Sequence, residues 1–268
     1  MKIGFVGLGN VGSKLAGSLL RNGYEVIVRD LNQDFVADFV ARGASSADSP
    51  KQLAQASDII ITCLPSPAAC SAVMEGNSAE EGVIAGLSEG KIWLEMSTTD
   101  ESEIRRIGAL VKAAGAEPVD CPVSGGCHRA DTGNISIFAG CSRATFERAL
   151  PVLTTLGRRV LHTGELGTAS KLKVVTNYLA TAHLVALGEA LTACKVMGLD
   201  MNVSYEAIKA SSGTSFVHET ESQVILNGSR DINFTVDLVL KDVGLFNTLT
   251  QREGMKLDLA PLLVDIFT

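Results

Sequence analysis

Two lysines stand close together in the segment GTASKLKVVTNYL, residues 167–179. Residues two apart on a helix point about 200° away from each other, so Lys171 and Lys173 face different directions. Thr176 and Asn177 follow Lys173 at the helical spacings of three and four residues, whereas Lys171 has valines at both spacings. Only Lys173 therefore shares its helix face with polar side chains that could hold its amino group beside a substrate oxygen.

Proton transfer is the chemistry that Lys173 offers. The helix beyond it carries no Asp, Glu, Lys or Arg before Glu189, which indicates burial. A buried lysine is costly unless it is paired or its pKa falls, and a lowered pKa suits a general acid/base that works near neutral pH. We therefore expect Lys173 to be catalytic, and we interpret Lys171 as a solvated neighbour at the start of the helix.

A second polar motif, DCPVSGG, spans residues 120–126. The Ser124 hydroxyl and the backbone amides of Gly125 and Gly126 offer several donors with no bulky side chain in the way, which suits a substrate carboxylate. An ordinary Ser-Gly-Gly turn has the same sequence, and the motif alone does not decide between these interpretations.

The N-terminal stretch VGLGNVG contains the spacing G-x-G-x-x-G. It follows a strand-like run and opens a helical one, which is the context that a dinucleotide-binding loop requires. Gly7 permits the tight turn, Gly9 lets a pyrophosphate approach the backbone, and Gly12 lets the helix pack on the strand. The remaining residues of this loop are Leu8, Asn10 and Val11.

An acidic residue at the end of the second strand-like run favours NAD as the cofactor. Asp30 follows the glycines at close to the roughly 20-residue spacing of the residue that binds the adenosine ribose. A carboxylate there accepts a hydrogen bond from the 2′-hydroxyl and repels a 2′-phosphate. Arg29 keeps NADP possible, although neighbours on a strand point to opposite faces.

The elements that must position these residues follow from periodicity. Residues 1–163 alternate between apolar strand-like runs, such as KIGFV and DIIITCLP, and segments with helical spacing. This alternation predicts an α/β domain with a Rossmann-type, doubly wound parallel sheet. Residues 164–268 show only helical patterns, beginning with one long helix that ends at Gly198. We therefore expect a dinucleotide-binding domain, 1–163, and an all-helical domain, 164–268.

Composition restricts the class of protein. The 268 residues carry a net charge of −7 and show no cluster of Lys and Arg, which disfavours nucleic acid as a partner. The longest weakly charged run, 174–188, is too short for a membrane span. The N-terminus does not resemble a signal peptide, so we expect the cytoplasm, or the mitochondrial matrix after removal of a transit peptide. Cys127 and His128 lack a matching second pair, so no metal is expected.

Taken in order, the motifs resemble those of the β-hydroxyacid dehydrogenase family, which includes 3-hydroxyisobutyrate dehydrogenase, tartronate semialdehyde reductase and, more distantly, 6-phosphogluconate dehydrogenase. The resemblance runs from Met1 to about Phe267. It rests on GFVGLGNVG, TCLPSP, EMSTTD, DCPVSGG, GNISIFAG, HTGELG and NFTVDLVLKDV. It implies an NAD-dependent or NADP-dependent oxidoreductase that acts on a short 3-hydroxy acid or its semialdehyde. It also implies a homodimer or homotetramer, and that the helical domain, 164–268, serves substrate binding and oligomerisation.

The resemblance assigns roles to particular residues. Lys173 would be the general acid/base, Asn177 would orient the substrate, and Ser124, Gly125, Gly126 and Lys241 would bind it. The cofactor-binding residues would be Gly7, Leu8, Gly9, Asn10, Val11, Gly12, Asp30, Leu64, Pro65, Ser97, Lys241 and Asp242. Three departures stand out: Thr176 replaces a family asparagine, Cys141 replaces a glycine after the ISIFAG run, and the family pattern continues past Thr268. The last implies a looser site or altered oligomerisation.

Two other functions fit parts of the pattern. Imine reductases share this architecture but usually replace the catalytic lysine, so Lys173 argues against that activity. A non-catalytic dinucleotide-binding scaffold is disfavoured by the intact Lys173 and Asn177. The identity of the hydroxy acid stays open, and Ser97, Cys127, His128, Phe234 and Lys241 are the residues expected to select it.

Overall fold

The computed structural model of the chain describes residues 1–229 and 234–268. Within them the chain divides into two compact units, Met1–Lys173 and Val174–Thr268. The division falls inside a long helix, between Lys173 and Val174, and the domain boundary at residue 163 stays a prediction. Asn233, the first residue of the motif NFTVDLVLKDV, lies outside the described residues.

The first unit is built on a nine-stranded sheet. Its strands are β1 Lys2–Val6, β2 Glu25–Arg29, β3 Ser45–Ser46, β4 Ile59–Thr62, β5 Ile92–Glu95, β6 Glu117–Asp120, β7 Val123–Ser124, β8 Ile135–Gly140 and β9 Gly157–Gly164. The order is β3-β2-β1-β4-β5-β6-β8-β7, and β9 pairs with β8. The order reverses between β1 and β4, which is the point where a doubly wound sheet forms its binding crevice.

The predicted Rossmann-type fold is confirmed, with one difference at the edge of the sheet. The strands from β3 to β6 in the sheet order are all paired in parallel, but β8 runs antiparallel to both β6 and β7. A short loop and a single helical turn join β7 to β8, which is too little chain for a parallel crossover. The motif at residues 120–126, which is predicted to bind the substrate, therefore lies where the sheet changes direction.

Helices cover both faces of this sheet. They are α1 Gly12–Arg21, α2 Gln33–Ala41, α3 Pro50–Ala56, α4 Pro67–Glu75, α5 Glu101–Ala113, α6 Gly126–Asp131 and α7 Arg143–Leu156, with a 3₁₀ helix at Val83–Gly86. Alternate residues of β4 enter opposite cores, since Ile59 and Ile61 pack in one apolar cluster and Ile60 packs in the other. This explains why the strand is apolar throughout: it is buried on both faces.

The remaining helices are α8 Thr168–Val196, α9 Met201–Lys209, α10 Phe216–Asn227, α11 Val236–Arg252 and α12 Leu259–Phe267. The predicted helical C-terminal region is confirmed. In the second unit α11 and α12 pack together around Val239, Val243 and Leu263. Tyr178 of α8 stacks on Phe246 of α11 with ring centroids 4.0 Å apart.

Helix α8 is long and apolar enough to cross a membrane by length and composition alone. Its 29 residues exceed the weakly charged run 174–188, because the helix continues past Lys173 and Glu189, the charged residues at the two ends of that run. One such helix is weak evidence for a membrane span, since core helices of soluble proteins meet the same criterion. Only 17% of its most apolar window is buried within the chain.

Candidate active site

The glycine-rich loop between β1 and α1 has the geometry of a dinucleotide cradle. Gly7 has a φ of +97°, and a Cβ there would lie 2.3 Å from the Cys63 carbonyl oxygen. A Cβ on Gly12 would lie 2.0 Å from the Gly7 oxygen, whereas one on Gly9 would meet no described atom within 4 Å. Gly7 and Gly12 are thus required by close packing, while Gly9 keeps open the space that a pyrophosphate would enter.

The start of α1 adds to this cradle. Among the described residues, no side chain caps the helix at Val11. First-turn N–H groups that no side chain caps, together with the helix dipole, favour an anionic group at this position. The loop residues therefore fit the phosphates of a nicotinamide dinucleotide.

Asp30 lies directly after β2 and is bonded to the glycine-rich loop. Its Oδ2 accepts the Leu8 N–H at 2.6 Å, and its Oδ1 accepts the Asn32 N–H at 2.8 Å. The neighbouring Arg29 is held by Glu80, with Nη2 2.5 Å from Oε1. The carboxylate of Asp30 is thus fixed beside the loop, and the guanidinium of Arg29 is committed to an ion pair.

The predicted groove residues Leu64, Pro65 and Ser97 follow the neighbouring strands β4 and β5. The Leu64 N–H donates to Ser97 Oγ at 2.7 Å, and the Ser97 N–H donates to Glu95 Oε1 at 2.7 Å. These contacts join the ends of the two strands at the edge where α/β folds bind ligands. Pro65 lies in the same segment, before α4, and is exposed.

Glu95 is a residue of this region that the sequence analysis missed. It is fully buried and also accepts hydrogen bonds from Thr62 Oγ1 and Cys70 Sγ, each at 2.7 Å. Burial raises the pKa of Glu95, and these hydrogen bonds oppose the rise. An acidic residue at the end of an otherwise apolar strand was the available signal, since a buried carboxylate needs a dedicated set of donors.

The predicted substrate residues form a sharp bend. Ser124 ends β7 and pairs with Ser136 of β8, while Gly125 and Gly126 have φ values of +127° and +81°. A Cβ on Gly125 would lie 3.0 Å from Arg129 Cδ, so both conformation and space require glycine there. Ser124 and Gly125 are half-buried, and Gly126 is exposed at the start of α6. The bend is compatible with backbone donors turned toward a small anion, and the carboxylate-binding role stays a prediction.

The two lysines of α8 have different environments. Lys173 is buried, with 6% of its surface exposed. Lys171 is half-exposed, and its Nζ lies 3.8 Å from Glu101 Oε1, at the distance of a surface ion pair. The different directions expected from helical spacing thus correspond to one buried and one solvated amino group.

Asn177, Lys241 and Asp242 lie together in the second unit. Asn177 Nδ2 donates to Asp242 Oδ2 at 2.5 Å, and Lys241 Nζ lies 2.7 Å from Asp242 Oδ1. Asp242 is 2% exposed. The buried carboxylate therefore orients the amide of Asn177 through a hydrogen bond and forms an ion pair with Lys241, an arrangement that the sequence analysis did not foresee. Thr176, the departure beside Asn177, is half-buried in the same turn of α8.

The residues expected to select the hydroxy acid differ in their exposure to solvent. Cys127 is half-buried and His128 is exposed, both in α6, and Phe234 is 43% exposed. Across the described residues, no cluster of three His, Cys, Asp or Glu side chains could hold a metal ion.

A doubly wound sheet with a glycine cradle at its switch point and an acidic residue after β2 defines a nicotinamide-dependent oxidoreductase. The comparisons with known proteins agree. Residues 2–164 match the family described as the NAD binding domain of 6-phosphogluconate dehydrogenase. Residues 167–268 match the family described as the NAD-binding domain of NADP-dependent 3-hydroxyisobutyrate dehydrogenase.

Individual relatives extend this match over the whole chain. The chain is 34% identical to 2-(hydroxymethyl)glutarate dehydrogenase of Eubacterium barkeri, covering 100% of the chain and 88% of the relative. It is 33% identical to 3-sulfolactaldehyde reductase of Escherichia coli, covering 91% and 81%. A crystal structure of 3-hydroxyisobutyrate dehydrogenase from Salmonella typhimurium superposes with a TM-score of 0.89 at 28% identity, covering 100% and 93%. The chain belongs to the β-hydroxyacid dehydrogenase family.

Family membership confirms the predicted oxidoreductase class and the nicotinamide cofactor. The relatives support the dehydrogenase interpretation rather than the imine reductase or the scaffold. The choice between NAD and NADP is not decided by the matches, because the two family descriptions name different cofactors.

Proposed function

We propose that the protein transfers a hydride between NAD and a short 3-hydroxy acid or its semialdehyde, with Lys173 as the general acid/base. The observation that carries this proposal is a buried lysine, 6% exposed, at the start of a helix that carries Asn177 one turn later. The named activities of the relatives, on 2-(hydroxymethyl)glutarate and 3-sulfolactaldehyde, fit a small substrate with an acidic group.

The residues divide the work of the reaction. When bound, the nicotinamide accepts or supplies the hydride at the carbon that carries the hydroxyl. Lys173 Nζ accepts the hydroxyl proton during oxidation and returns it to the developing alkoxide during reduction. The Ser124 hydroxyl and the Gly125 N–H bind the carboxylate and so fix the distance of the reacting carbon from the amine. Asn177, oriented by Asp242, holds the substrate oxygen.

The decisive experiment compares two substitutions on one helix. Lys173→Ala should lower kcat by about a thousand-fold or more, since it removes the proton acceptor, and should leave NADH affinity unchanged. Lys171→Ala is the matched control, because it removes a half-exposed lysine of the same turn whose Nζ lies 3.8 Å from Glu101 Oε1 and which has no proposed role in the reaction. A panel of short 3-hydroxy acids, followed by NADH absorbance, supplies the assay. Equal turnover by Lys173→Ala and the wild type would refute the proposal.

NAD is proposed over NADP because the carboxylate of Asp30 is fixed at the glycine-rich loop and Arg29 is paired with Glu80. A 2′-phosphate would meet a fixed negative charge and would have to separate an ion pair to gain a positive one. The ratio of kcat/KM for the two cofactors tests this directly, and a ratio that favours NADP would contradict it.

We further propose a homodimer or homotetramer in the cytoplasm, or in the mitochondrial matrix where a transit peptide is removed, with neither nucleic acid nor membrane as a partner. The charge of −7 and the free thiols among the described cysteines support this location. Fractionation of tagged cells tests it, and recovery in a membrane pellet that salt does not extract would oppose it.

A further inference from the structure

A buried carboxylate at the carboxyl end of β6 is bonded to the start of α8. Asp120 is fully buried. The Ser170 N–H donates to its Oδ2 at 2.8 Å, and the Ser170 hydroxyl donates to its Oδ1 at 2.7 Å. Both carboxylate oxygens are thus occupied by one residue that lies 50 positions later in the chain.

Ser170 lies in the first turn of α8, one turn before Lys173. Residues three apart on a helix are neighbours on its surface, so Ser170 and Lys173 share a face. Two hydrogen bonds to one residue restrict both the sliding of this turn along the helix axis and its rotation about that axis. The contacts between Asp120 and Ser170 therefore help to fix the position of the Lys173 amine.

The sheet also touches this turn through backbone atoms. Asp120 pairs across β6 and β8 with Gly140, and a Cβ on Gly140 would lie 2.8 Å from the Glu165 oxygen and 3.2 Å from the Ala169 nitrogen. Asp120 also begins the motif whose Ser124 and Gly125 are the proposed carboxylate donors. One residue thus connects the substrate loop with the helix of the general acid/base.

Stability alone does not account for an aspartate at this position. Burial raises the pKa of Asp120, which means that its charged form is disfavoured in the fold. An asparagine of the same shape could accept the Ser170 N–H through its oxygen and donate to the Ser170 hydroxyl oxygen through its amide nitrogen. A carboxylate instead makes two charge-assisted hydrogen bonds, which are shorter and stronger than neutral ones.

We propose that Asp120 is a positioning residue for the hydride-transfer reaction: through Ser170 it holds the first turn of α8 so that Lys173 keeps one arrangement relative to Ser124 and Gly125. The proposal rests on the function proposed above for Lys173. Asp120 is fully buried and bonded to Ser170, so the proposal assigns it no direct contact with the reactants.

The test measures turnover per cofactor-binding site, with the sites counted by titration with NADH fluorescence. Asp120→Asn should lower kcat per site by about ten-fold or more while KM for NAD stays unchanged, because its neutral hydrogen bonds hold Ser170 less tightly and small displacements of a catalytic group are costly. Ser170→Ala should show a smaller fall, since it keeps the backbone hydrogen bond. Asp200→Asn is the control: Asp200 accepts two N–H groups at the start of α9 but has no proposed role in the reaction.

A purely structural role predicts a different result, namely fewer cofactor-binding sites with unchanged kcat per site. Fewer cofactor-binding sites with unchanged kcat per site would overturn the inference. An unchanged kcat per site in Asp120→Asn, with Lys173→Ala inactive, would also overturn it. Both results would leave the proposed role of Lys173 intact. Full activity of Lys173→Ala would instead remove the proposed function. If Asp120→Asn binds no NADH, Ser170→Ala decides, since a fall in its kcat per site supports the inference and an unchanged value overturns it.

Discussion

At the scale of single residues, buried carboxylates organise the ends of neighbouring strands. Glu95 and Asp120 are register partners on β5 and β6, and both are buried at the edge of the sheet where the site residues lie. Glu95 accepts the Ser97 N–H beside the predicted cofactor groove, and Asp120 accepts the Ser170 N–H at the start of α8, one turn before the proposed general acid/base Lys173. Asp120 and Ser170 are 50 positions apart, so motif spacing did not reveal their contact. Glu95 and Ser97 are only two positions apart, but the other partners of Glu95, Thr62 and Cys70, are 33 and 25 positions away.

Asp120 should make stability depend on pH. Burial raises its pKa to about 6 from an ordinary value of 3.8. Between these values the folded state keeps a proton that the unfolded chain releases, so the free energy of unfolding falls as pH rises from about 4 to 7. The full loss is on the order of 2–3 kcal/mol. Asp120→Asn removes this titration and should therefore gain stability relative to the wild type as pH rises.

Urea unfolding at several pH values between 4 and 7 measures this difference. Titratable groups that interact electrostatically with Asp120 include Glu95 on β5 and the thiols of Cys121 and Cys141. Glu95 also has a raised pKa, so the wild-type curve contains its contribution. The contribution of Asp120 is therefore the difference in free energy of unfolding between Asp120→Asn and the wild type. A difference that does not increase with pH would contradict the expectation.

Asp30 should control cofactor preference. Asp30→Ser removes the carboxylate that repels a 2′-phosphate and is expected to lower kcat/KM with NAD by about ten-fold, the value of one charged hydrogen bond. The ratio of kcat/KM for NADP to that for NAD should rise, because the repulsion disappears. Steady-state rates with both cofactors give the ratio. A ratio equal to that of the wild type would show that Asp30 does not discriminate between the adenosine ribose of NAD and that of NADP.

At the scale of elements, two glycines in the turn from β1 to α1 have different proposed roles. Gly12 is required for close packing, whereas Gly9 leaves space for the cofactor. Gly12→Ala places a Cβ 2.0 Å from the Gly7 oxygen, so we expect a loss of stability of about 2 kcal/mol or more together with weaker NADH binding. Gly9→Ala enters open space in the described structure, so the fold should keep its stability while NADH affinity falls. Thermal unfolding and NADH titration on both variants check this. Equal destabilisation by the two would contradict the assignment.

Elements with strong periodicity could be predicted from the sequence, and short ones could not. The strands β1, β2 and β4 and the helices α8 to α11 follow apolar patterns that local residues determine. The helices α3 and α4 were missed because seven to nine residues give too few turns for a pattern. Their signal was a serine cap followed by proline, Ser49-Pro50 and Ser66-Pro67, which is typical of helix starts.

The antiparallel edge of the sheet was missed for a different reason. The sequence of β8 reads as a strand in either direction, and only its short connection to β7 distinguishes the two orientations. The same difference between local and distant contacts applies to the candidate site. The geometry of the glycine loop could be predicted because the loop is local in sequence. The pairing of Asp242 with Asn177 could not, because these residues are 65 positions apart.

At the scale of the whole molecule, apolar surface on α8 needs a covering partner. Leu172, Val175 and Leu179 are 45%, 42% and 50% exposed. Residues 172, 175 and 179 are spaced by three and four positions and so form one stripe on the helix. Exposed apolar stripes of this kind usually mark an interaction surface. In the proposed homo-oligomer, a second copy of the chain would cover the stripe.

Leu179→Lys places a charge at the C-terminal end of this stripe and should shift the protein from an oligomer toward the monomer, because burying an unpaired charge costs several kcal/mol. Light scattering coupled to size exclusion, run over a concentration series, gives the mass. Val203→Lys is the control, since Val203 is 67% exposed on α9, outside the stripe. A wild type that is monomeric at all concentrations would exclude the oligomer, and detergent-dependent solubility would instead favour a membrane as the partner of α8.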